Sequence, residues 1–357
     1  MTATRATAVR FVSIASEAWG AEESLMTLVR HRPPDAAPVE LAAAGAALRD
    51  RWADGTGREA SAIRTAGNRL GRVLHALPHV ASAPRGSVVV LWDVDLVPLA
   101  VVLAPWLRLR HVRPFLDLHV TLAGDRGRRL LRVLSRSLAG CLSISRYTAE
   151  QIGATCDVHV VQRPVDTAVG AGAAVPAGED GFTVAVVGRV DPEKGVVEAV
   201  RACEGVPDVR RVVVRGAPFE GGADYLHEVL RAGESLTTAQ FAYEGRVPAS
   251  AALDGVDVLL HWNRHEPAGR VVQEAQLAGR VAVVPDEGGA REFVEHDVTG
   301  LVYRAGSTAD ARRALASLTP GARREIGRAA RRVGRERYDA PARAADYFAA
   351  LGARAQS

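Results

Sequence analysis

Two charged loops in the second half of the chain carry the residues best suited to chemistry, and each stands between an apolar strand pattern and a helix pattern. The first loop runs from Gly188 to Gly195 and reads GRVDPEKG. Arg189 and Lys194 place two cations near a helix N-terminus, whose free N–H groups already favour an anion. The loop therefore predicts a diphosphate site, although a solvated charged turn could carry the same residues. It has no Walker A or dinucleotide-binding glycine pattern.

The second loop reads EPAGRVVQE and places two carboxylates, Glu266 and Glu274, on either side of a helix start. Gly269 permits close backbone approach there, and the N–H groups of Gly269, Arg270 and Val271 can meet a phosphate. Carboxylates are poor phosphate ligands, but they accept hydrogen bonds from sugar hydroxyls. The loop thus predicts a site for the sugar parts of a nucleotide sugar. A glycosidase-like acid–base pair is the alternative, and it gives the glycine and the cationic first loop no role.

Three shorter motifs complete an ordered series between Gly188 and Val302. RGAP begins at Arg215, GGARE begins at Gly288, and HDVTGLV begins at His296. In order and spacing the series resembles the retaining glycosyltransferases of the GT-B fold, specifically glycosyltransferase family 4, the glycosyl transferases group 1. That family shows G-R-x-x-x-x-K-G, G-x-G-P, E-P-F-G-x-x-x-x-E-A, G-G-x-x-E and G-x-x-G-x-L-V in this order.

The resemblance implies a role for each matching residue. Arg189 and Lys194 would bind the donor diphosphate, Glu266 the hydroxyls of the donor sugar, and Glu274 the ribose. The catalytic set that the resemblance implies is His119, Arg189, Lys194 and Glu266. The implied donor-binding set is Gly20, Gly188, Gly216, Val247, Gly269, Arg270, Val271 and Glu274. Gly20 belongs to a Trp19–Glu22 segment similar to the family's glycine loop, and Val247 ends the Glu244–Val247 turn expected beside the base.

The second loop also departs from the family pattern. Ala268 replaces the usual phenylalanine, Arg270 replaces an apolar residue, and His261-Trp262 stands where Pro-Ser is common. Because Arg270 falls where the donor sugar should lie, we hypothesise an altered donor that bears a carboxylate or another polar substituent. The alternative is an Arg270 side chain that points to solvent.

Strand and helix patterns alternate along the whole chain, which predicts parallel sheets covered by helices on both faces. A stretch of small residues with Pro and Gly, residues 164–181, interrupts the alternation and is expected to be a linker. The fold class predicted is α/β, and the resemblance makes it GT-B, with two Rossmann-like doubly wound domains facing each other across a cleft. The expected domains are 1–165 for the acceptor, 166–335 for the nucleotide-sugar donor, and a C-terminal helix in 336–357 that packs back on the first domain.

In this reading the strands are Val9–Ser16, Val88–Trp92, Pro114–His119, Cys141–Ser145, Asp157–Val161, Phe182–Val187, Val209–Arg215, Gln240–Tyr243, Val256–His261, Val281–Val284 and Leu301–Tyr303. Residues 33–80 are rich in Ala and Arg and are expected to be mainly helical, with no second strand assigned.

The first half offers weaker candidates at the ends of its strands. His119 matches the histidine that the family places beside the reacting sugar, and an ordinary buried imidazole is the alternative. Asp93 and Asp95 are weak candidates for contact with the acceptor, with structural capping as the alternative. An Asp-x-Asp pair can also hold a metal on a diphosphate, but the phosphate cations already lie in the second half, so no metal site is predicted.

Composition and charge indicate the type of source organism and the kinds of partner that the protein favours. Of 45 basic residues only Lys194 is a lysine, a bias that together with the Ala, Val, Gly and Pro excess looks actinobacterial. Residues 1–165 carry a net charge of +7 and the remainder −3, so the first half favours an acidic partner. The basic helix near residues 126–136 is expected to be a solvated face, and peripheral membrane contact is the less favoured reading. No nucleic-acid module is recognised.

Neither a signal peptide nor a membrane span is visible, and the three scattered cysteines predict a reducing, cytoplasmic location. The expected activity is a retaining, metal-independent transfer of a hexose from a nucleotide diphosphate sugar, UDP- or GDP-linked, to an acceptor hydroxyl. No cofactor is expected. The acceptor could be a natural product such as an aminoglycoside-like aglycone, another sugar or a lipid-linked group. The alternatives are a sugar-nucleotide epimerase or phosphorylase on the same scaffold, or a non-catalytic donor-binding partner.

Overall fold

The chain divides into two compact units, of which the first combines both ends of the chain. In the computed structural model, Met1–Pro164 and Ala340–Ser357 form one unit and Val165–Asp339 the other. The structure describes residues 6–16, 20–64, 68–122, 124–152, 155–165, 181–219 and 221–352. Trp19 and most of the segment expected to be a linker, residues 166–180, lie outside the described residues.

The first unit is built on one parallel sheet. Within its described residues the strands are β1 (Val9–Ser13), β2 (Val39–Ala43), β3 (Ser61–Ala62), β4 (Val88–Leu91), β5 (Arg113–Leu118), β6 (Gly140–Ser143) and β7 (Val158–Val160). They pair in the order β3-β2-β1-β4-β5-β6-β7, and every pairing is parallel. The helices between them are α1 (Gly20–Arg30), α2 (Ala46–Thr56), α3 (Arg69–Ala81), α4 (Val97–Val102), α5 (Ala104–Leu109), α6 (Gly124–Leu134) and α7 (Arg146–Ile152).

The second unit repeats this architecture. Its described strands are β8 (Phe182–Val187), β9 (Val209–Arg215), β10 (Gln240–Gly245), β11 (Val258–Leu260), β12 (Val281–Pro285) and β13 (Gly300–Tyr303). They form a parallel sheet in the order β10-β9-β8-β11-β12-β13. The helices are α8 (Val196–Ala202), α9 (Ala223–Glu234), α10 (Arg270–Leu277), α11 (Thr308–Ala316) and α12 (Pro320–Arg337). The last helix of the chain, α13 (Ala340–Ala350), belongs to the first unit.

Burial on both faces explains why the central strands are continuous apolar runs. In β4, Val88 and Val90 join one hydrophobic cluster while Val89 and Leu91 join another. Successive side chains of a strand point to opposite faces, so both faces of this sheet are covered by packed side chains. Among the described residues no helix is long and apolar enough to cross a bilayer.

The expectation that residues 33–80 hold no second strand is wrong. Val39–Ala43 forms β2, which pairs in parallel with β1 so that Val39 lies opposite Val9. The strand is rich in alanine, a residue with high helix propensity, so its local pattern favoured a helix. Tertiary pairing and burial decided the outcome, because three of the strand's last four residues are almost fully buried.

Each sheet has one place where its strand order reverses direction, and that place locates the ligand loops. In the second unit the reversal falls between β8 and β11, which are neighbours although two strands, β9 and β10, separate them in sequence. Ligands of open parallel sheets bind outside the carboxyl ends of the strands at such a switch point. The loops after β8 and β11 are those that hold Arg189, Lys194 and Glu266.

Candidate functional site

The loop after β8 is held in shape by a buried aspartate. Asp191 precedes the short 3₁₀ turn Pro192–Lys194, and its Oδ1 accepts a hydrogen bond from the Lys194 backbone N–H at 3.0 Å. Its Oδ2 accepts from Nε of Arg189. Asp191 is almost fully buried, so the side chain of Arg189 and the backbone of Lys194 are held by one fixed carboxylate. Hydrogen bonds within the loop therefore order it without a bound ligand.

Close backbone packing joins this loop to the loop after β9. A Cβ on Gly216 would stand 1.7 Å from the carbonyl oxygen of Gly188, so no larger residue fits. The N–H of Gly188 donates to the Arg215 carbonyl at 3.0 Å, and the N–H of Val190 donates to that of Ala217 at 2.9 Å. The two loops form one floor at the carboxyl edge of the second sheet.

Lys194 reaches across the switch point to the loop after β11. Its Nζ donates to Oε2 of Glu266 at 2.6 Å, and the Asn263 side-chain amide donates to the same oxygen at 3.0 Å. Burial raises the pKa of Glu266, but the nearby charges of Lys194 and His261 and these hydrogen bonds outweigh it, so the pKa is about 2. Glu266 is thus an ionised carboxylate at neutral pH. The structure brings the predicted phosphate lysine and the predicted sugar glutamate together.

His261 lies behind this ion pair. The side chain is buried, and its Nε2 stands 3.8 Å from Oε2 of Glu266 with no hydrogen-bond partner among the described residues. Burial lowers the pKa of His261 to about 4, although Glu266 opposes the shift. The ring next in sequence, Trp262, packs over Gly195 and lies 5.5 Å from the Tyr303 ring.

Helix α10 positions the second predicted glutamate. Arg270, its first residue, donates from Nε to Oε1 of Glu274 at 2.8 Å, one turn along the helix. Both side chains are largely buried. The guanidinium therefore contacts the carboxylate expected to hold a ribose, and this geometry does not fit the alternative in which Arg270 points to solvent. Ala268, where the family has phenylalanine, is buried beneath the loop.

The remaining predicted donor residues of the second unit lie on the same edge of its sheet. Gly269 and Val271 flank the start of α10, and the N–H of Gly289 donates to the Glu266 carbonyl at 2.7 Å. Val247 is half-buried after β10. The adjoining Glu244 accepts hydrogen bonds at 2.8 Å from Arg211 and from Arg215, which fixes the turn expected beside the base.

In the first unit, Asp93 and Asp95 serve the protein's own backbone and side chains. Oδ2 of Asp93 accepts from the Ile14 N–H at 2.8 Å and from the Ser13 hydroxyl at 3.1 Å, which joins the ends of β1 and β4. Asp95 forms an ion pair with Arg69. These contacts favour the capping interpretation of the two aspartates. Within the part of the chain that the structure describes, no group of His, Cys, Asp or Glu could hold a metal ion.

His119 follows β5 and is held on two sides. Its Nδ1 lies 3.3 Å from Oδ1 of Asp117, and its ring centroid lies 4.9 Å from that of Trp92. Only about a tenth of the side chain is exposed. Gly20 begins α1 in an exposed position. The basic helix α6 leaves Leu130 and Val133 more than half exposed.

Sequence reasoning did not single out several residues that shape these sites. Asp191 had a usable signal, because an aspartate before a proline at a helix start is a common cap. Asp117 also had one, since a lone carboxylate in an apolar strand requires a partner. No local sequence signal indicates the pairing of Asn263 with Glu266, or the contacts that Arg163 and Tyr347 make with Asp117.

Comparison with known proteins supports the motif series in the second unit. Residues 173–333 match the family model described as Glycosyl transferases group 1. D-inositol 3-phosphate glycosyltransferase of Mycobacterium leprae (strain Br4923) is 32% identical over 159 residues, which cover 42% of this chain and 37% of the relative. GDP-mannose-dependent alpha-mannosyltransferase of Mycobacterium tuberculosis is 34% identical over 125 residues, 34% of this chain and 30% of the relative. The chain thus spans about a third of the length of these relatives.

Solved structures extend the similarity of fold to the whole chain. Anabaena Alr3699/HepE, solved in complex with UDP and glucose, superposes with a TM-score of 0.78 at 17% identity over 97% of this chain and 99% of its own. Sucrose-phosphate synthase of Thermosynechococcus elongatus superposes with a TM-score of 0.77 at 14% identity over 96% and 98%. The predicted GT-B fold is confirmed by this agreement and by the two parallel sheets.

Proposed function

We propose that this protein transfers a sugar from a nucleotide diphosphate sugar to an acceptor hydroxyl, because residues 173–333 match the family model of the glycosyl transferases group 1 and the chain has the GT-B fold. One observation carries the proposal. The Lys194–Glu266 ion pair of 2.6 Å joins the loops that follow β8 and β11, where such a sheet binds its ligands. A cation for phosphate and a carboxylate for sugar hydroxyls therefore meet at one point.

The second unit supplies stabilisation of a leaving diphosphate. As the bond between the anomeric carbon and the diphosphate breaks, negative charge grows on the phosphate oxygens. Arg189, Lys194 and the N–H groups at the start of α10 would stabilise that charge without a metal. Glu266 would hold the sugar hydroxyls, and Glu274 with Arg270 would hold the ribose.

We further propose that transfer retains the anomeric configuration. The acceptor oxygen would form its bond to the anomeric carbon on the face that the diphosphate leaves, and the acceptor's proton would pass to the departing phosphate. No protein nucleophile is required in this scheme. Retention rests on the family resemblance, and the product's anomeric configuration, read by NMR coupling constants, would decide it.

The names of relatives and the ligands of a structural neighbour support a proposal for the donor class. The names of the relatives include a GDP-mannose-dependent enzyme, and the structural neighbour Alr3699/HepE has been solved with UDP and with UDP-glucose. We propose a UDP- or GDP-hexose as donor. Protection against thermal unfolding, measured across a panel of nucleotide sugars, would identify it, and a natural product, a sugar or a lipid-linked group are the acceptors to screen.

The test of the proposed function removes the lysine charge. Lys194→Ala is expected to lower turnover about 10²–10³-fold, the usual effect of losing one group that stabilises developing charge. The matched control is Arg328→Ala, which removes one positive charge from an exposed position of the same unit and should leave turnover unchanged. The assay measures nucleoside diphosphate released with and without acceptor.

The same assay separates the competing functions. Release of diphosphate that depends on acceptor and is lost in Lys194→Ala supports transfer. Formation of an epimerised nucleotide sugar would identify an epimerase instead of a transferase. Phosphate-dependent cleavage of a glycoside would identify a phosphorylase. Tight donor binding with no turnover against the whole acceptor panel would identify a binding partner and overturn the proposal.

A further inference from the structure

A network of buried side chains surrounds the carboxylate of Asp117 in the first unit. Asp117 is fully buried on β5, and its Oδ2 accepts from Nη2 of Arg163 at 2.5 Å and from the Tyr347 hydroxyl at 2.8 Å. Its Oδ1 faces Nδ1 of His119 at 3.3 Å. The guanidinium of Arg163 also lies 4.5 Å from the centre of the Tyr347 ring. Three segments far apart in sequence therefore meet at one carboxylate.

The charge state of Asp117 determines which nitrogen of His119 carries hydrogen. Burial raises the pKa of Asp117, but the Arg163 charge and the hydrogen bonds from His119 and Arg163 lower it by more than burial raises it. The pKa is therefore below its ordinary value and the carboxylate is ionised. An ionised carboxylate only accepts hydrogen bonds, so Nδ1 of His119 must donate. In a neutral imidazole the other nitrogen, Nε2, then presents a lone pair.

Tyr347, from the last helix of the chain, donates the remaining hydrogen bond to the Asp117 carboxylate. Burial raises the pKa of its hydroxyl well above the ordinary value, so the group stays protonated and donates to Asp117. Trp92 packs against the face of His119 and limits rotation of the imidazole. Among the described residues, the other titratable group that interacts with His119 is Asp93 at the end of β4, whose carboxylate already accepts hydrogen bonds from Ile14 and Ser13.

We propose that Asp117, Arg163 and Tyr347 are positioning residues that hold His119 in the tautomer whose Nε2 accepts a hydrogen bond. His119 then selects a substrate that offers a hydroxyl donor at that point. This selection rests on the proposed function and on the family resemblance, which implies that the reacting sugar lies beside His119. The tautomer does not rest on it, because every group that sets it belongs to the first unit.

The tautomer can be read directly in the free protein. Protein labelled with ¹⁵N-histidine, at pH 7.5 and without ligand, is expected to show for His119 a protonated Nδ1 and an unprotonated Nε2 in long-range ¹H–¹⁵N spectra. His119→Gln assigns the signal by its loss. A protonated Nε2, whether with or without a proton on Nδ1, would overturn the proposal.

Two substitutions then test the positioning set. In Asp117→Asn the amide can donate to Nδ1, so the His119 signal should change to the Nε2–H tautomer and kcat/KM should fall about 10–100-fold, the scale of a lost hydrogen bond to a charged group. Tyr347→Phe keeps the ring beside Arg163, so the tautomer should persist while kcat falls several-fold. The control, Tyr338→Phe, removes another buried hydroxyl that bonds Gln276 in the second unit and should change neither.

Monodeoxy analogues of the accepted donor and acceptor show whether the lone pair selects a hydroxyl. Wild type should discriminate against one deoxy position, and both His119→Gln and Asp117→Asn should lose that discrimination while nucleotide binding to the second unit stays unchanged. Discrimination that survives both substitutions would overturn the selection. If wild type transfers no sugar at all, the proposed function fails while the ¹⁵N spectra still decide the tautomer.

Discussion

A buried imidazole, His261, and a largely buried carboxylate, Glu266, lie 3.8 Å apart in the second unit, and burial affects their charges differently. Glu266 keeps its negative charge because Lys194 and Asn263 compensate for lost hydration. His261 has no such compensation at Nε2 and is neutral at pH 7. An uncharged ring beside an ionised pair stabilises the loop by packing, and protonating it costs free energy.

The depressed pKa of His261 predicts an acid-dependent loss of stability. The unfolded chain takes up a proton as the pH falls through 6.5, whereas the folded protein does so only near pH 4. This contribution to the free energy of unfolding is therefore complete above pH 6.5 and is lost between pH 6.5 and 4, by about 3 kcal/mol. Glu266 adds a further loss as the pH falls from 4.5 towards 2.

Urea unfolding followed by circular dichroism between pH 4 and 7.5 measures this loss. His261→Gln removes the titrating group, so its stability should fall less over this range than that of wild type. His227→Gln is the control, because His227 is an exposed histidine of the same unit, and it should follow wild type. Parallel curves for wild type and His261→Gln would contradict the prediction.

The ion pair between Arg270 and Glu274 predicts how loss of Arg270 affects donor binding. The guanidinium orients the carboxylate that is expected to hold the ribose. Arg270→Ala should therefore weaken the binding of every nucleotide sugar, and of the nucleoside diphosphate alone, by about tenfold. Calorimetric titration of wild type and variant with the same panel measures the change. A loss confined to donors whose sugar bears a carboxylate would instead support direct recognition of that substituent.

At the scale of elements, the two site loops pack together because Gly195 has no side chain. Its position combines a left-handed backbone conformation with a close approach of Trp262. Gly195 has a φ of +60°, and a Cβ there would stand 2.1 Å from Cδ1 of Trp262. Gly205 has a φ of +69° with open space around it. Alanine at either position costs about 1 kcal/mol in backbone strain. Gly195→Ala should cost roughly 1–3 kcal/mol more, because Trp262 must move.

Thermal unfolding of the two alanine variants separates steric overlap from backbone strain. Gly195→Ala should show the lower Tm and weaker nucleotide binding, since Trp262 would be displaced from the ring of Tyr303. Gly205→Ala should lose stability while it binds nucleotide normally. Equal losses of stability in both variants would mean that the contact with Trp262 carries no energetic weight.

Local pattern predicted those elements whose residues agree with their surroundings. Phe182–Val187 and Val209–Arg215 were predicted with the bounds that the structure shows, because a valine-rich, β-branched run is distinctive. The alanine-rich strand β2 was missed because only its neighbours make it a strand. In the site, Arg189 and Lys194 lie in one short motif, whereas Asp117 and Tyr347 are separated by 230 residues. A contact of that range leaves no local pattern to read.

At the scale of the whole molecule, the chain ends in the unit where it began. Helix α13 packs against α1, and its Tyr347 and Phe348 are buried in the same cluster as Phe11 and Trp52. The ring of Phe11 lies 6.3 Å from that of Tyr347 in a stacked arrangement. The core of the first unit therefore includes side chains from a helix that follows the second unit in sequence.

This arrangement predicts that damage to α13 destabilises the first unit alone. Phe348→Ala removes a fully buried ring and should cost about 3–5 kcal/mol. Limited proteolysis in increasing urea, with cleavage sites mapped by mass spectrometry, should then show early cuts in residues 6–165 and an unchanged midpoint for residues 181–339. Asp346→Ala, an exposed change in the same helix, should leave both midpoints unchanged. If the two units shifted together in Phe348→Ala, they would unfold as one cooperative body, and α13 would support the second unit as strongly as the first.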